Sequence, residues 1–106
     1  MSELNPQFTS SDGVTVLVPL VHLNGTSVNS LLDAVGEAGS TLLDAKRKFD
    51  DMAPNGRDYY PYGPTAIQRA EEEWKRQRDA LLGVLKYIAA QAEYLCGVQE
   101  RGQHTR

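Results

Sequence analysis

The first apolar block of the chain runs from Val14 to Leu23, VTVLVPLVHL. It is dense in β-branched residues and closed by Asn24-Gly25, which predicts a strand. Val14, Val16, Val18, Leu20 and His22 share one face; Thr15, Leu17, Pro19, Val21 and Leu23 share the other. Pro19 has no N–H to give to a ladder, so this strand is an edge or is broken in two. After the Asn24–Ser27 turn, where Thr26 or Ser27 caps, the period becomes helical. Val28, Val35, Leu42 and Phe49 are seven apart, and Leu31, Ala38, Ala45 and Met52 repeat the spacing three positions on. Beside this seam runs a second stripe of Leu32, Gly36, Gly39 and Leu43, whose glycines suit a close backbone approach. Pro54-Asn55-Gly56 ends the helix, and Pro64 opens another. There Ile67, Trp74, Leu81, Ile88 and Leu95 are seven apart, with a break near Gln77 and Arg78. Val84, Tyr87, Gln91, Tyr94 and Val98 form its second stripe, and the helix should end between Gly97 and Gly102.

The fold class expected is mostly α: an antiparallel helical hairpin with one N-terminal β-strand, packed as a homo-oligomer. Residues 1–13 read as a flexible, polar arm whose large apolar anchor is Phe8; residues 14–102 form the strand-plus-hairpin domain, and 103–106 a polar tail. At 1.5 Å per residue the helices are about 37 and 50 Å long, so the second overhangs the first. One strand and two helices enclose too little interior for two stripes per helix and two strand faces. A lone strand also leaves a row of unpaired backbone groups. Self-association is the simplest repair.

Composition narrows the function classes. The 106 residues carry a net charge of −3, which disfavours DNA or RNA as a partner, since such binding needs a basic surface. One cysteine excludes an internal disulfide, and with two histidines it argues against structural zinc or any metal site. No apolar run approaches the roughly 20 residues that span a bilayer, and the N-terminus lacks the basic-then-apolar order of a signal peptide. A cytoplasmic protein without membrane contact is expected.

Catalytic constellations are scarce. No Walker-type phosphate loop, HExxH motif or nucleophile elbow occurs, so neither an enzyme nor a cofactor is expected. Cys96, beside Leu95, reads as a small buried hydrophobe, and Glu71-Glu72-Glu73 as a solvated helix face. His104 reads as solvated. His22, at the end of the apolar strand, is either a satisfied structural histidine or a ligand contact.

Two segments stand out. In Asn55-Gly56-Arg57-Asp58-Tyr59-Tyr60-Pro61-Tyr62, three of the five tyrosines fall within four positions. Tyrosine supplies flat area with a hydroxyl, arginine a planar fork for phosphate or carboxylate, and Asn and Asp read polar edges. The composition suits a nucleotide-like ligand. It equally suits a bundle-end cap, with Asp58 closing a turn and Arg57 paired to Asp50, Asp51 or Asp58. The second segment is Leu23–Ser27, where Asn24 and Thr26, with His22 nearby, stand at a helix start that attracts anions.

LNGTS (23–27) and NGRDYYP (55–61), each followed by a helix, resemble small proteins common in phage and prophage genomes. The resemblance spans about Leu23 to Ile88 and carries no activity with it. By size and architecture alone, the chain is similar to phage sponge proteins that counter the CBASS and Thoeris defences. Those are small, cytosolic, helical and oligomeric, and hold cyclic or ADP-ribose-type signals between subunits without cleaving them. The expectation that follows is a non-enzymatic oligomer sequestering a small anionic nucleotide-derived signal. Its ligand site would be drawn from Asn55, Gly56, Arg57, Asp58, Tyr59, Tyr60, Tyr62, Asn24, Thr26 and His22. The alternative is an interaction module that grips a host or phage protein through its helical stripes.

Overall fold

A computed structural model describes residues 5–104. The chain opens with two short strands, β1 (Gln7–Thr9) and β2 (Thr15–Leu17), paired antiparallel with Phe8 opposite Val16. The Ser10–Gly13 turn joins them. The Ser10 amide donates to Val14 O at 2.8 Å, the Val14 amide donates to Ser10 Oγ at 3.1 Å, and Gly13 takes φ +84°, which a side chain would disfavour. Within the arm expected over residues 1–13, residues 7–9 are a strand, and the expected lone strand is the second half of a hairpin; residues 1–4 lie outside the described residues. Three residues with one large apolar side chain give no periodic signal, which is why β1 escapes the sequence. The expected strand over 14–23 also stops early. Val18 N–H donates to Pro6 O at 2.8 Å, and Pro19, with no N–H, ends the ladder. From there to Ser27 the chain has no regular strand or helix.

Helix α1 spans Val28–Asp50, with Ser27 as its cap: Ser27 Oγ accepts from the Ser30 amide at 3.1 Å. A four-residue α2 (Gly56–Tyr59) and a 3-10 turn (Tyr60–Tyr62) fill the expected loop, and α3 spans Ala66–His104. Gly63, at φ +118°, turns the chain into α3. The expected polar tail begins two residues too early, since 103 and 104 continue α3; 105 and 106 lie outside the described residues. With 39 residues, α3 is about 58 Å long and sets the 66 Å long axis of the molecule.

The helices pack antiparallel. Near the loop, Phe49 stacks on Trp74 with centroids 5.5 Å apart, and Trp74 Nε1 donates to Phe49 O at 3.2 Å. Arg78 sits over the Trp74 ring and donates to Asp50 at 3.2 Å, while Lys46 reaches the other oxygen of that carboxylate at 2.9 Å. The break in the apolar seam at Arg78 is thus a cross-helix ion pair. Lys46 first, then Arg78, hold the Asp50 carboxyl below its ordinary value by hydrogen bonding. In the middle, a Cβ on Gly39 would lie 3.3 Å from Ile88 Cγ2. At the far end, Gln99 donates to Asn29 Oδ1 at 2.8 Å.

The β-hairpin lies on the last third of α3. Phe8 meets Tyr94 edge-on at 5.4 Å, so the arm does hang on Phe8. Gln91 donates to Leu17 O at 2.6 Å, and Glu93 accepts from Ser11 N at 3.0 Å and Ser11 Oγ at 2.9 Å. Among the described residues the buried apolar ones are Val16, Ala90 and Leu95; Ser10 and Gln91 are buried with their hydrogen bonds made. No residue of α1 is buried. Cys96 is exposed, which corrects its reading as a core residue: it follows the buried Leu95 by one position, about 100° around the helix. A window of α3 reaches mean hydropathy 1.2 over 18 residues. By length and composition it is able to cross a membrane, which is weak evidence, because core helices of soluble proteins share the property.

Candidate functional site

The tyrosine-rich segment is more ordered than a loop. Asn55 Oδ1 accepts from the Arg57 amide at 2.9 Å and so caps α2. The residue expected to read a ligand edge thereby closes a helix start instead, beside Gly56. Arg57 Nε approaches the same oxygen at 3.5 Å. Its expected carboxylate partners do not take it: Asp50 is held by Lys46 and Arg78, and Asp51 and Asp58 form no ion pair with it. Tyr59 is half-buried, with its ring 6.4 Å from that of Tyr62, whereas Tyr60 is 75% exposed.

Tyr59 and Tyr62 form one wall of an open cleft of about 530 Å³, and the first turns of α3 form the other, with Arg69, Glu72, Glu73 and Arg76. Asn55, Arg57 and Tyr60 lie outside this lining. Arg69 and Arg76 make no ion pair among the described residues, so two guanidinium groups and two aromatic rings face one space. The two glutamates balance their charge. Sequence reasoning missed the arginines, although positions 69, 73 and 76 recur at helical spacing on one face just after Pro64.

The second candidate segment is elsewhere. His22 belongs to a turn, not a strand: the Gly25 amide donates to His22 O at 3.1 Å, and a Cβ on Gly25 would come within 2.8 Å of His22 Nε2. Asn24 and Thr26 are exposed, and Ser27, not Thr26, caps α1. The length of α1, about 34 Å, separates this turn from the tyrosines. The ten candidate residues therefore form two groups at opposite ends of one protomer.

Between those ends the hairpin presents apolar surface on both sides. One groove, about 480 Å³, is lined by Val35, Gly36, Gly39 and Leu43 of α1 and by Leu85 and Ala89 of α3, among others. The opposite one, about 350 Å³, includes Leu17, Pro19, Ala34, Ala38 and Tyr87. Leu17 is 65% and Tyr87 51% exposed. Among the described residues no three His, Cys, Asp or Glu side chains gather to hold a metal. The chain matches no family model, no curated protein and no solved structure.

Proposed function

We propose that this chain is a non-enzymatic protein-interaction module that works through the apolar sides of its helical hairpin, with a second copy of itself as its first partner. One observation carries the reading: a 23-residue amphipathic helix, α1, has no buried residue, while apolar grooves run along both sides of its contact with α3. An isolated soluble monomer rarely leaves so much contiguous apolar surface uncovered. In the setting implied by the resemblance to phage and prophage proteins, further partners are host or phage proteins in the bacterial cytoplasm. Light scattering at micromolar concentration tests the reading. The expected mass is at least twice 11.7 kDa; a folded monomer up to roughly 100 µM refutes self-association.

The cleft favours a second reading. Tyr59, Tyr62, Arg69 and Arg76 offer stacking area and two free guanidinium groups, the chemistry of a small anionic nucleotide-derived ligand. Sequestration of such a signal, as in the anti-defence sponges, is the biological form of this reading. A thermal-shift screen with cyclic dinucleotides and ADP-ribose derivatives tests it. A rise in Tm that Arg69→Ala or Arg76→Ala abolishes, and Arg57→Ala does not, supports the cleft; no shift with any of them removes this reading.

A further inference from the structure

Along one side of α1 run Asn29, Asp33, Gly36, Ser40, Leu43 and Arg47, at alternating spacings of four and three. Of this series Gly36 and Leu43 line the larger groove, and Asn29, Asp33, Ser40 and Arg47 lie outside its lining. About Ser40 the charged positions are symmetric and the inner pair nearly so, with Gly36 four residues before it and Leu43 three after. Asp33 and Arg47 stand seven residues to either side of it, with opposite charge, and a small residue (Gly36) on one flank answers a large one (Leu43) on the other. A Cβ on Gly36 would meet nothing within 4 Å, so there is open space above it. Leu43 is 46% exposed, a knob without a hole in its own protomer.

We infer that this side of α1, with the edge of the groove formed by Gly36 and Leu43, packs against a second copy of the chain, its α1 antiparallel to the first, on a two-fold axis passing near Ser40. The inference rests on the self-association reading above and specifies its surface. A two-fold interface uses one patch twice, so the patch must be self-complementary. Antiparallel packing sets Asp33 against Arg47 of the second copy, twice over, and brings Leu43 over Gly36 to within one residue of register. Parallel packing sets Asp33 on Asp33 and Arg47 on Arg47, which repel. The Asp33 side chain makes no hydrogen bond or ion pair among the described residues. Arg47 holds Asp44 at 2.7 Å, with both side chains mostly exposed, a weak competitor. The antiparallel arrangement has a geometric result. Thr26 lies fourteen residues before Ser40, and position 54 lies fourteen after it. The Asn24–Ser27 turn of one copy therefore comes level, along the helix axis, with the α2 end of the other.

Cysteine cross-linking in full-length protein carrying Cys96→Ser tests this. Ser40→Cys is expected to form a disulfide-linked dimer on mild oxidation, because facing positions at an axis bring Cβ atoms within disulfide reach. Ala38→Cys, lining the opposite groove, is expected not to. Separately, Asp33→Arg and Arg47→Asp should each weaken the dimer at least 10-fold by analytical ultracentrifugation, and the double exchange should restore it. Circular dichroism confirms that each variant keeps its helix content. A wild-type dimer in which Ala38→Cys cross-links and Ser40→Cys does not, or in which the charge exchange fails to rescue, overturns this surface and leaves the interaction reading standing. A wild-type monomer at every concentration overturns both.

Discussion

Leu95 is 1% exposed and is the largest fully buried side chain among the described residues, so Leu95→Ala probes the core directly. The change removes roughly three carbon groups from burial, at about 0.8 kcal/mol each, or about 2.5 kcal/mol of lost transfer energy. A closed core adds a cavity penalty, which carries such changes toward about 5 kcal/mol. Here Leu95 also lines the groove with Leu17 and Pro19, so the vacated space opens toward solvent and that penalty is small. The expected loss is therefore about 2.5 kcal/mol, out of a total of about 5–15 kcal/mol for a domain of this size. At about 4–8 °C per kcal/mol, Tm should fall by roughly 10–20 °C. Urea unfolding followed by circular dichroism, at one fixed protein concentration, measures the loss. The single tryptophan, Trp74, supplies a second probe near the opposite end of the hairpin. Leu23→Ala is the control: at 98% exposure it should shift stability by less than about 0.5 kcal/mol. A loss under about 1 kcal/mol for Leu95→Ala refutes the reasoning, because the burial that defines the core would then not hold the fold. Dichroism and Trp74 transitions that fail to coincide refute a different premise, that the two ends unfold together.

Gly83→Ala should stabilise by up to about 1 kcal/mol in thermal melts, since its Cβ meets nothing within 4 Å in a helix interior; Gly39→Ala should gain less, because Ile88 must yield. Asp50 titrates below its ordinary value in the folded chain, so its ion pairs stabilise above the usual carboxylate range and are lost as pH falls through the folded pKa. Stability measured between about pH 6 and pH 2 should therefore fall less steeply in Asp50→Asn than in the wild type, and an unchanged slope counts against the coupling. Glu93→Ala removes the carboxylate that Ser11 donates to, at a cost of about 1 kcal/mol for exposed charged hydrogen bonds. Amides of β1 and β2 should then exchange roughly 5-fold faster while those in the middle of α1 keep their rates, and uniform acceleration contradicts a local clamp.

The helices were legible because their information is periodic and long. Val28, Val35, Leu42 and Phe49 occupy the half-buried face of α1, and Ser27, a good cap by type, is the cap. What escaped was short or non-periodic. β1 has three residues, and its evidence is a turn glycine and a ring contact with Tyr94, 86 positions away. The β2 boundary needed more weight on Pro19 than on the apolar run that follows it. At the loop, the clustered tyrosines flank Arg57 in sequence, yet Asn55 holds that residue by its backbone while Tyr59 and Tyr62 turn toward α3. Arg69 and Arg76 reach the cleft because α3 begins where Gly63 aims it, a direction that composition does not encode.

The hydrogen bonds that tie the N-terminal region to α3 span 70 to 82 residues of sequence. A ribosome adding about 5–20 residues per second needs roughly 4–16 seconds to make that stretch. Throughout it, β2 has been synthesised and the part of α3 that receives it has not, although the C-terminal end of α1 meets Trp74 and Arg78 only 25 and 28 residues later. Until then the apolar residues of β2 lack their α3 cover, and a chaperone or a neighbouring chain on the same messenger is able to supply it. Chains cut short before Gln91 lose the donor to Leu17 and the acceptor for Ser11 together. Ribosome stalling within the last third of the message should therefore release hairpins that aggregate, whereas loss of the final few residues spares those ties.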